Sequence, residues 1–268
     1  MSLVPHLPPH AEKTVQRFLQ AHVEDAQANG VVVGLSGGID SALCARLARD
    51  ALGPERVRGL LLPDAAYPAA LLEETEAYAA ALSVKTERFD VGAVLAAFRD
   101  LFPQVVDRVT WGNILPRVRM TVGYTYARDR GLLVMGTGNK SEILMGYFTK
   151  FGDGGVDLLP IGDLYKTQVR LLAEKLGLPQ AVLDRPPTAG MWEGQTDEQE
   201  LGIDYAHLDQ VLSGLEQLIA PSEIATMSGV APDEVARVAA RVLHERHKRR
   251  LPPIPKIGLR TVGIDWRD

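Results

Sequence analysis

One cysteine, Cys44, is all that the 268 residues contain. A lone thiol can make neither an intrachain disulfide nor a cysteine-based zinc site. Aromatic residues are scarce at 6%, too few to suggest a platform on which bases stack. Positive charge is not in excess either: 29 Lys and Arg stand against 34 Asp and Glu, a formal net charge of −5. A broad nucleic-acid surface is therefore not expected, although small basic pockets are compatible with that total. Long apolar runs are missing. The stretch 91–98 is about the longest, well short of the ~20 residues of a membrane span. The N-terminal MSLVPHLPPH lacks the basic-then-apolar layout of a signal peptide. What is present, 46% hydrophobic and 24% charged residues, suffices for an ordinary buried core. Together these features predict a cytoplasmic enzyme or small-ligand binder with neither a nucleic-acid nor a membrane partner.

Apolar residues at Val15, Phe18, Leu19 and Val23 recur at helical spacing, and the β-branched run Val31, Val32, Val33 reads as a buried parallel strand. The same reading predicts further strands at 57–62, 84–89 and 132–136. It predicts helices at 42–52, 71–82, 91–101, 114–128, 165–176, 205–218 and 233–246. Strands alternating with helices call for an α/β fold, a doubly wound parallel sheet with helices on both faces and ligands at the carboxyl ends of its strands. After Gly138 the pattern changes, and the segments 151–156 and 185–194 are too rich in Gly and Pro for regular elements. No composition shift marks a linker. The expectation is one domain over residues 1–268, with a C-terminal helical part from about residue 200.

The strongest local signal is Gly34, Leu35, Ser36, Gly37, Gly38, Ile39, Asp40 and Ser41, set between the first strand and its helix. Gly37 and Gly38 let the backbone approach an anion, the serines add hydroxyls, and the helix aims free N–H groups at the same point. This reads as a phosphate or pyrophosphate cradle, with a tight turn as the bland alternative. Neither the Walker A spacing nor the dinucleotide GxGxxG is present. Asp40 fits a helix N-cap, but beside a polyphosphate a carboxylate more often helps hold Mg²⁺. Asp153 and Asp157 in a Gly-rich loop lack the ligand pattern of a Ca²⁺ site. Cys44, among Ala42, Leu43, Ala45 and Leu47, reads as a core thiol.

The segment SGGIDS at 36–41 resembles the phosphate loop of N-type ATP pyrophosphatases, whose fold is adenine nucleotide alpha hydrolase-like. The second half narrows the resemblance. GTGNKSE at 136–142, GYFTKFGDGGVD at 146–157, LP at 159–160, LYK at 164–166, PTAGMWEGQTDE at 187–198 and HKRR at 247–250 are similar to the NAD synthetase family. The resemblance runs from about residue 12 to about 256.

It implies a ligase that adenylates deamido-NAD with ATP and then amidates it with ammonia, releasing AMP and pyrophosphate. It also implies that Gly34 through Ser41 bind the ATP phosphates, with Thr137, Lys166 and Thr188 as further ATP contacts. Asp40 and Glu142 are implied as Mg²⁺ ligands, and Asp40, Glu142 and Lys166 as the catalytic set. Arg117, Lys150, Asp157, His247 and Lys248 match deamido-NAD positions. Read without the family, Lys166 is a surface lysine, Glu142 an acid at a helix start, and His247 and Lys248 a solvated basic helix end. Tyr147 and Phe148 fit base stacking and core packing equally.

Many bacterial relatives carry an aspartate and a histidine after the glycine-threonine pair, where this chain has Gly138 and Asn139; the latter pattern is similar to the archaeal-type branch. The segment 63–68 offers no obvious adenine contact. Glutamine-using members carry an added N-terminal amidase domain with a catalytic cysteine, so 268 residues and a core cysteine predict ammonia as the direct nitrogen donor and leave room for a separate glutaminase. The family is homodimeric, which the resemblance implies here. The alternatives are another adenylating amidotransferase, GMP synthetase-like, and a non-catalytic nucleotide sensor that would dispense with the metal pair.

Overall fold

Val31, Val32 and Val33 are almost completely buried because their strand is covered on both faces. In the computed structural model, which describes residues 2–192 and 194–265, they lie in β1 (Gly30–Gly34). Met1, Glu193 and residues 266–268, which belong to the expected domain span and the 187–198 motif, lie outside the described residues.

The chain runs α1 (Ala11–Asp25), β1, α2 (Ile39–Leu52), β2 (Val57–Leu61), α3 (Ala69–Ala81) and β3 (Lys85–Arg88). Three helices follow, α4 (Gly92–Leu101), α5 (Arg108–Gly112) and α6 (Ile114–Arg130), before β4 (Leu132–Met135). The α-helices after β4 are α7 (Lys140–Met145), α8 (Lys166–Lys175), α9 (Gln180–Leu183), α10 (Asp197–Leu201), α11 (Tyr205–Glu216), α12 (Pro221–Ser228) and α13 (Pro232–His244).

The four strands pair in parallel in the order β3-β2-β1-β4, with Val32 opposite Arg58 on one side and Val134 on the other. Alternate residues of β1 serve different layers. Val31 and Val33 pack with Leu19, Leu43, Leu47 and Leu172 from α1, α2 and α8. Val32 joins Leu60, Val134, Tyr126 and Ala127 on the α6 side. Each fully buried aliphatic side chain contributes about 1.5–3 kcal/mol, which explains why this run holds the middle of the sheet. Cys44 lies in the first of these clusters, as its apolar neighbours predict.

After β1 the chain adds β2 and β3 on one side, then returns to set β4 on the other. That reversal opens a crevice beyond the carboxyl ends of β1 and β4, the usual ligand position in an open α/β sheet. A third cluster joins Leu208, Leu212, Ile224, Val235 and Val238 of α11–α13 to Met145 and Tyr165, so the late helices pack against α7 and the start of α8. Two local results differ from the sequence reading. The helix expected at 42–52 begins three residues earlier, at Ile39, and five short helices (α5, α7, α9, α10 and α12) appear where no periodic pattern was legible. Among the described residues no helix is long and apolar enough to cross a membrane.

Candidate active site

The loop after β1 is built for a backbone that only glycine adopts easily. Gly37 has φ +72°, and a Cβ there would sit 2.5 Å from Leu71 Cδ1 and 2.7 Å from Thr75 Oγ1. Ser41 Oγ accepts from the Ser36 N–H at 3.2 Å and donates to the Gly38 carbonyl at 3.0 Å, which closes the loop on itself. Gly38 is the N-cap of α2, and no side chain among the described residues caps this helix. Its first-turn N–H groups therefore face the crevice without a side-chain acceptor, the arrangement that receives anions. Asp40 lies inside the first turn rather than at the cap.

Across the crevice, the loop after β4 leads through Thr137 into α7. Asn139 and Glu142 form a capping box: the Asn139 Oδ1 accepts from the Glu142 N–H at 3.0 Å, and Glu142 Oε2 accepts from the Asn139 N–H at 3.2 Å. The Asn139 amide also donates to Asp40 Oδ1 at 3.1 Å. The side chain that replaces the bacterial-type residue thus joins the two loops. Lys166, the first residue of α8, completes the arrangement. Its Nζ lies 2.5 Å from Asp40 Oδ2 and 3.3 Å from Glu142 Oε1. The lysine side chain is only 8% exposed and each carboxylate 17%, so the surface-lysine reading of Lys166 does not hold.

The electrostatics follow from burial. Desolvation pushes the Glu142 carboxyl well above the usual range, and Lys166 only partly offsets it. Burial opposes charge on Lys166 too, yet Asp40 and Glu142 outweigh it and hold the ammonium above an ordinary lysine. The Asp40 carboxylate and the Lys166 ammonium therefore form the charged pair, beside a Glu142 carboxyl that keeps its proton to higher pH than an ordinary glutamate. Among the described residues no group of three or more His, Cys, Asp or Glu side chains is placed to hold a metal ion. The donor set offered here is two carboxylates.

The remaining candidates form a second group. Arg117 on α6 donates to the Lys150 carbonyl at 3.4 Å, and Lys150 Nζ donates to the His247 carbonyl at 3.0 Å. Three of the five expected substrate positions therefore meet. Lys248 lies alongside, donating to the carbonyl of Gly146 at 2.7 Å and pairing with Glu245 at 3.1 Å. Asp157 is committed in part to the fold: its oxygens accept from the Val134 N–H at 2.7 Å and from Tyr124 at 2.9 Å. Thr188 is exposed and accepts from the Gly190 N–H. Its loop is tied to the phosphate loop by Arg185, which donates to the Gly37 carbonyl and, at 2.5 Å, to Glu74.

Three residues here had no role in the sequence reading. Asn139 carried a legible signal, an Asn three residues before a Glu. Arg185 and Asp197 did not. Asp197 is buried near the pair of acids, takes a 3.1 Å hydrogen bond from Tyr205, and leaves Oδ1 without a partner among the described residues.

Comparison with known proteins gives one consistent result. The family model described as NAD synthase matches residues 12–252. An NH(3)-dependent NAD(+) synthetase of Methanosarcina mazei is 43% identical over 251 residues, covering 92% of this chain and 98% of that protein. Among solved structures, an NH3-dependent NAD synthetase from Campylobacter jejuni aligns with a TM-score of 0.78 at 31% identity, over 92% of this chain and 97% of that one. An NMN synthetase from Francisella tularensis aligns with a TM-score of 0.83 at 32% identity, over 94% and 100%.

Proposed function

The chain belongs to the NAD synthase family, and from that membership we propose that it is an ammonia-dependent NAD synthetase, a ligase that forms a carbon–nitrogen bond. The observation that carries this reading is the Lys166 ammonium set between Asp40 and Glu142 beside an uncapped helix N-terminus. A free carboxylate is a poor acyl donor, and adenylation supplies the leaving group. An oxygen of the nicotinate carboxylate of deamido-NAD attacks the α-phosphorus of ATP. The bond to the bridging oxygen breaks and pyrophosphate departs. Ammonia then attacks the acyl carbon, AMP leaves with the electron pair of the cleaved C–O bond, and the nitrogen loses a proton to give the amide.

In this reading the backbone of Gly34–Gly38, the Ser36 and Ser41 hydroxyls and the start of α2 hold the polyphosphate, with Thr137 and Thr188 as further contacts. Lys166 balances charge that grows on the departing pyrophosphate. Asp40 and Glu142 fit Mg²⁺, which takes one or two carboxylates and fills its remaining positions with phosphate oxygens and water. When bound, the ion supplies charge neutralisation on the phosphates. Arg117, Lys150, His247 and Lys248 gather positive charge and donors for deamido-NAD, and Asp157 keeps acceptor capacity for a ribose hydroxyl. With Cys44 buried, the chain has no thiol free to open glutamine. Ammonia is accordingly read as the direct nitrogen donor, and a cytoplasmic setting suits the buried thiol. The chain is read as one domain, its helical part from about residue 200 packed on α7 and α8.

The proposed assembly is a homodimer. Leu101, Val106 and Val109, around α4 and α5, are 67%, 91% and 53% exposed, and a second copy is the partner that the family reading supplies for them. Sedimentation should give twice the chain mass, and Val106→Asp with Val109→Asp should halve it. A parent that sediments as a monomer contradicts the assembly.

The NMN synthetase alignment favours one second reading, amidation of the nicotinate mononucleotide instead of the dinucleotide. An assay with ATP, Mg²⁺ and either substrate decides, run with ammonium or glutamine. The expected result is NAD and AMP from deamido-NAD with ammonium alone. Preference for the mononucleotide transfers the function to the second reading, and no amide from either substrate removes both.

A further inference from the structure

Asp209 has no surface at all, yet no part of the proposed chemistry uses it. It lies on α11 and faces the adjacent starts of α7 and α8. Its Oδ1 accepts from the Ser141 hydroxyl at 2.5 Å, and the Ser141 oxygen in turn accepts from the Lys166 N–H at 3.0 Å. Its Oδ2 accepts from both the N–H and the hydroxyl of Thr167, each at 2.8 Å. Two of the otherwise unpartnered N–H groups at the start of α8 are thereby satisfied, one directly and one through Ser141. The negative charge also sits where the dipole of α8 favours it.

We propose that Asp209 is a positioning residue that fixes Lys166 relative to Glu142. The partners point to this role. Ser141 immediately precedes Glu142, and Thr167 immediately follows Lys166, so one carboxylate grips the neighbours of both groups. Three donors converge on two oxygens, which an ionised carboxylate accepts in full. An asparagine in its place would turn its NH₂ against at least one donor. Two turns further along the same face of α11, Glu216 repeats the pattern. It accepts from Lys140 at 2.7 Å and from the Tyr165 hydroxyl at 2.6 Å, again one partner from the start of α7 and one beside α8. The helix acts as a rail along which the two loops of the site are registered. The helical part from about residue 200 then has a catalytic consequence without touching substrate.

The inference rests on the synthetase reading, and its test uses the full-length protein with deamido-NAD, ATP, Mg²⁺ and ammonium. Displacement of a reacting group by about 1 Å costs roughly 10²-fold in rate. Asp209→Asn and Ser141→Ala should each lower kcat by between about tenfold and 10²-fold, with KM for both substrates changed less than about threefold. The double variant should lose no more than the worse single one, because both break the same link. Thr167→Ser, which keeps the hydroxyl, should retain the parent kcat. If Asp209→Asn does not fold, Ser141→Ala carries the test alone, since it removes one hydroxyl and leaves the carboxylate with Thr167. The proposal is overturned if kcat of the folded variants stays within twofold of the parent, if the losses multiply in the double variant, or if KM rises in their place. A parent that makes no amide overturns the function and this inference with it. An active parent matched by its variants overturns the inference alone.

Discussion

Lys166→Met is expected to stop turnover almost completely and to change the pH dependence of stability. The variant keeps the length of the side chain and removes its charge. Loss of one positioned group that stabilises developing charge costs about 10²–10³-fold in kcat. The same change leaves the side chains of Asp40 and Glu142, each 17% exposed, facing each other without their shared cation. Removing one partner of such a buried arrangement costs on the order of 3 kcal/mol where both acids are ionised. The sign with pH follows from Glu142, whose carboxyl is already raised by burial and is restrained chiefly by Lys166. A carboxyl raised in the folded state stabilises below its unfolded pKa, and that contribution is lost as pH rises through the folded value. Without the lysine the folded value climbs further. The stability gap between variant and parent should therefore be widest at alkaline pH and narrow as Glu142 protonates. Mg²⁺ without nucleotide should raise the melting temperature of the variant more than that of the parent. Equal melting curves at all pH values, or turnover within tenfold of the parent, would sink the role given to Lys166.

Glu142→Gln should be nearly as damaging to catalysis and almost harmless to the fold. Glutamine keeps an acceptor for the Asn139 N–H, so the capping box survives. Its amide nitrogen, however, faces the Lys166 ammonium and cannot hold a divalent cation. Turnover should fall by about 10²-fold or more, with a higher Mg²⁺ concentration needed for half-maximal rate. Glu142→Ala separates the two roles, since it removes the cap contact as well and should cost about a further 1 kcal/mol in stability. Denaturant melts and Mg²⁺ titrations of the two variants check this. Near-normal turnover of Glu142→Gln would take Glu142 out of the metal pair.

Much of this site was legible because its parts lie where strand and loop signals are strongest. The valine run and the glycine-rich turn fix the first strand, the phosphate loop and the helix after it. The apolar stretch before Gly136 places the second loop, so the convergence of Asp40 and Glu142 across about a hundred residues follows from sheet topology. Helix α2 starts earlier than apolar periodicity indicates because Asp40 and Ser41 interrupt the apolar pattern between Ile39 and Ala42. Sequence can name Lys166 by resemblance, but only the packing shows it buried between two acids. Asp209, Arg185 and Asp197 were not legible. Asp209 and Arg185 bond to residues far away in sequence, and a buried aspartate on a helix looks like any polar residue until its neighbours are placed. The short helices escaped for a simpler reason, since four to eight residues hold too few turns for a period to register.

In the proposed reaction an oxygen of the nicotinate carboxylate attacks the α-phosphorus held beside Lys166. This step is tested most directly with deamido-NAD carrying ¹⁸O in that carboxylate, incubated with ATP, Mg²⁺ and ammonium. One labelled oxygen should appear in AMP and none in pyrophosphate, with the other label retained in the amide of NAD. Label in pyrophosphate, or AMP without label, would contradict it.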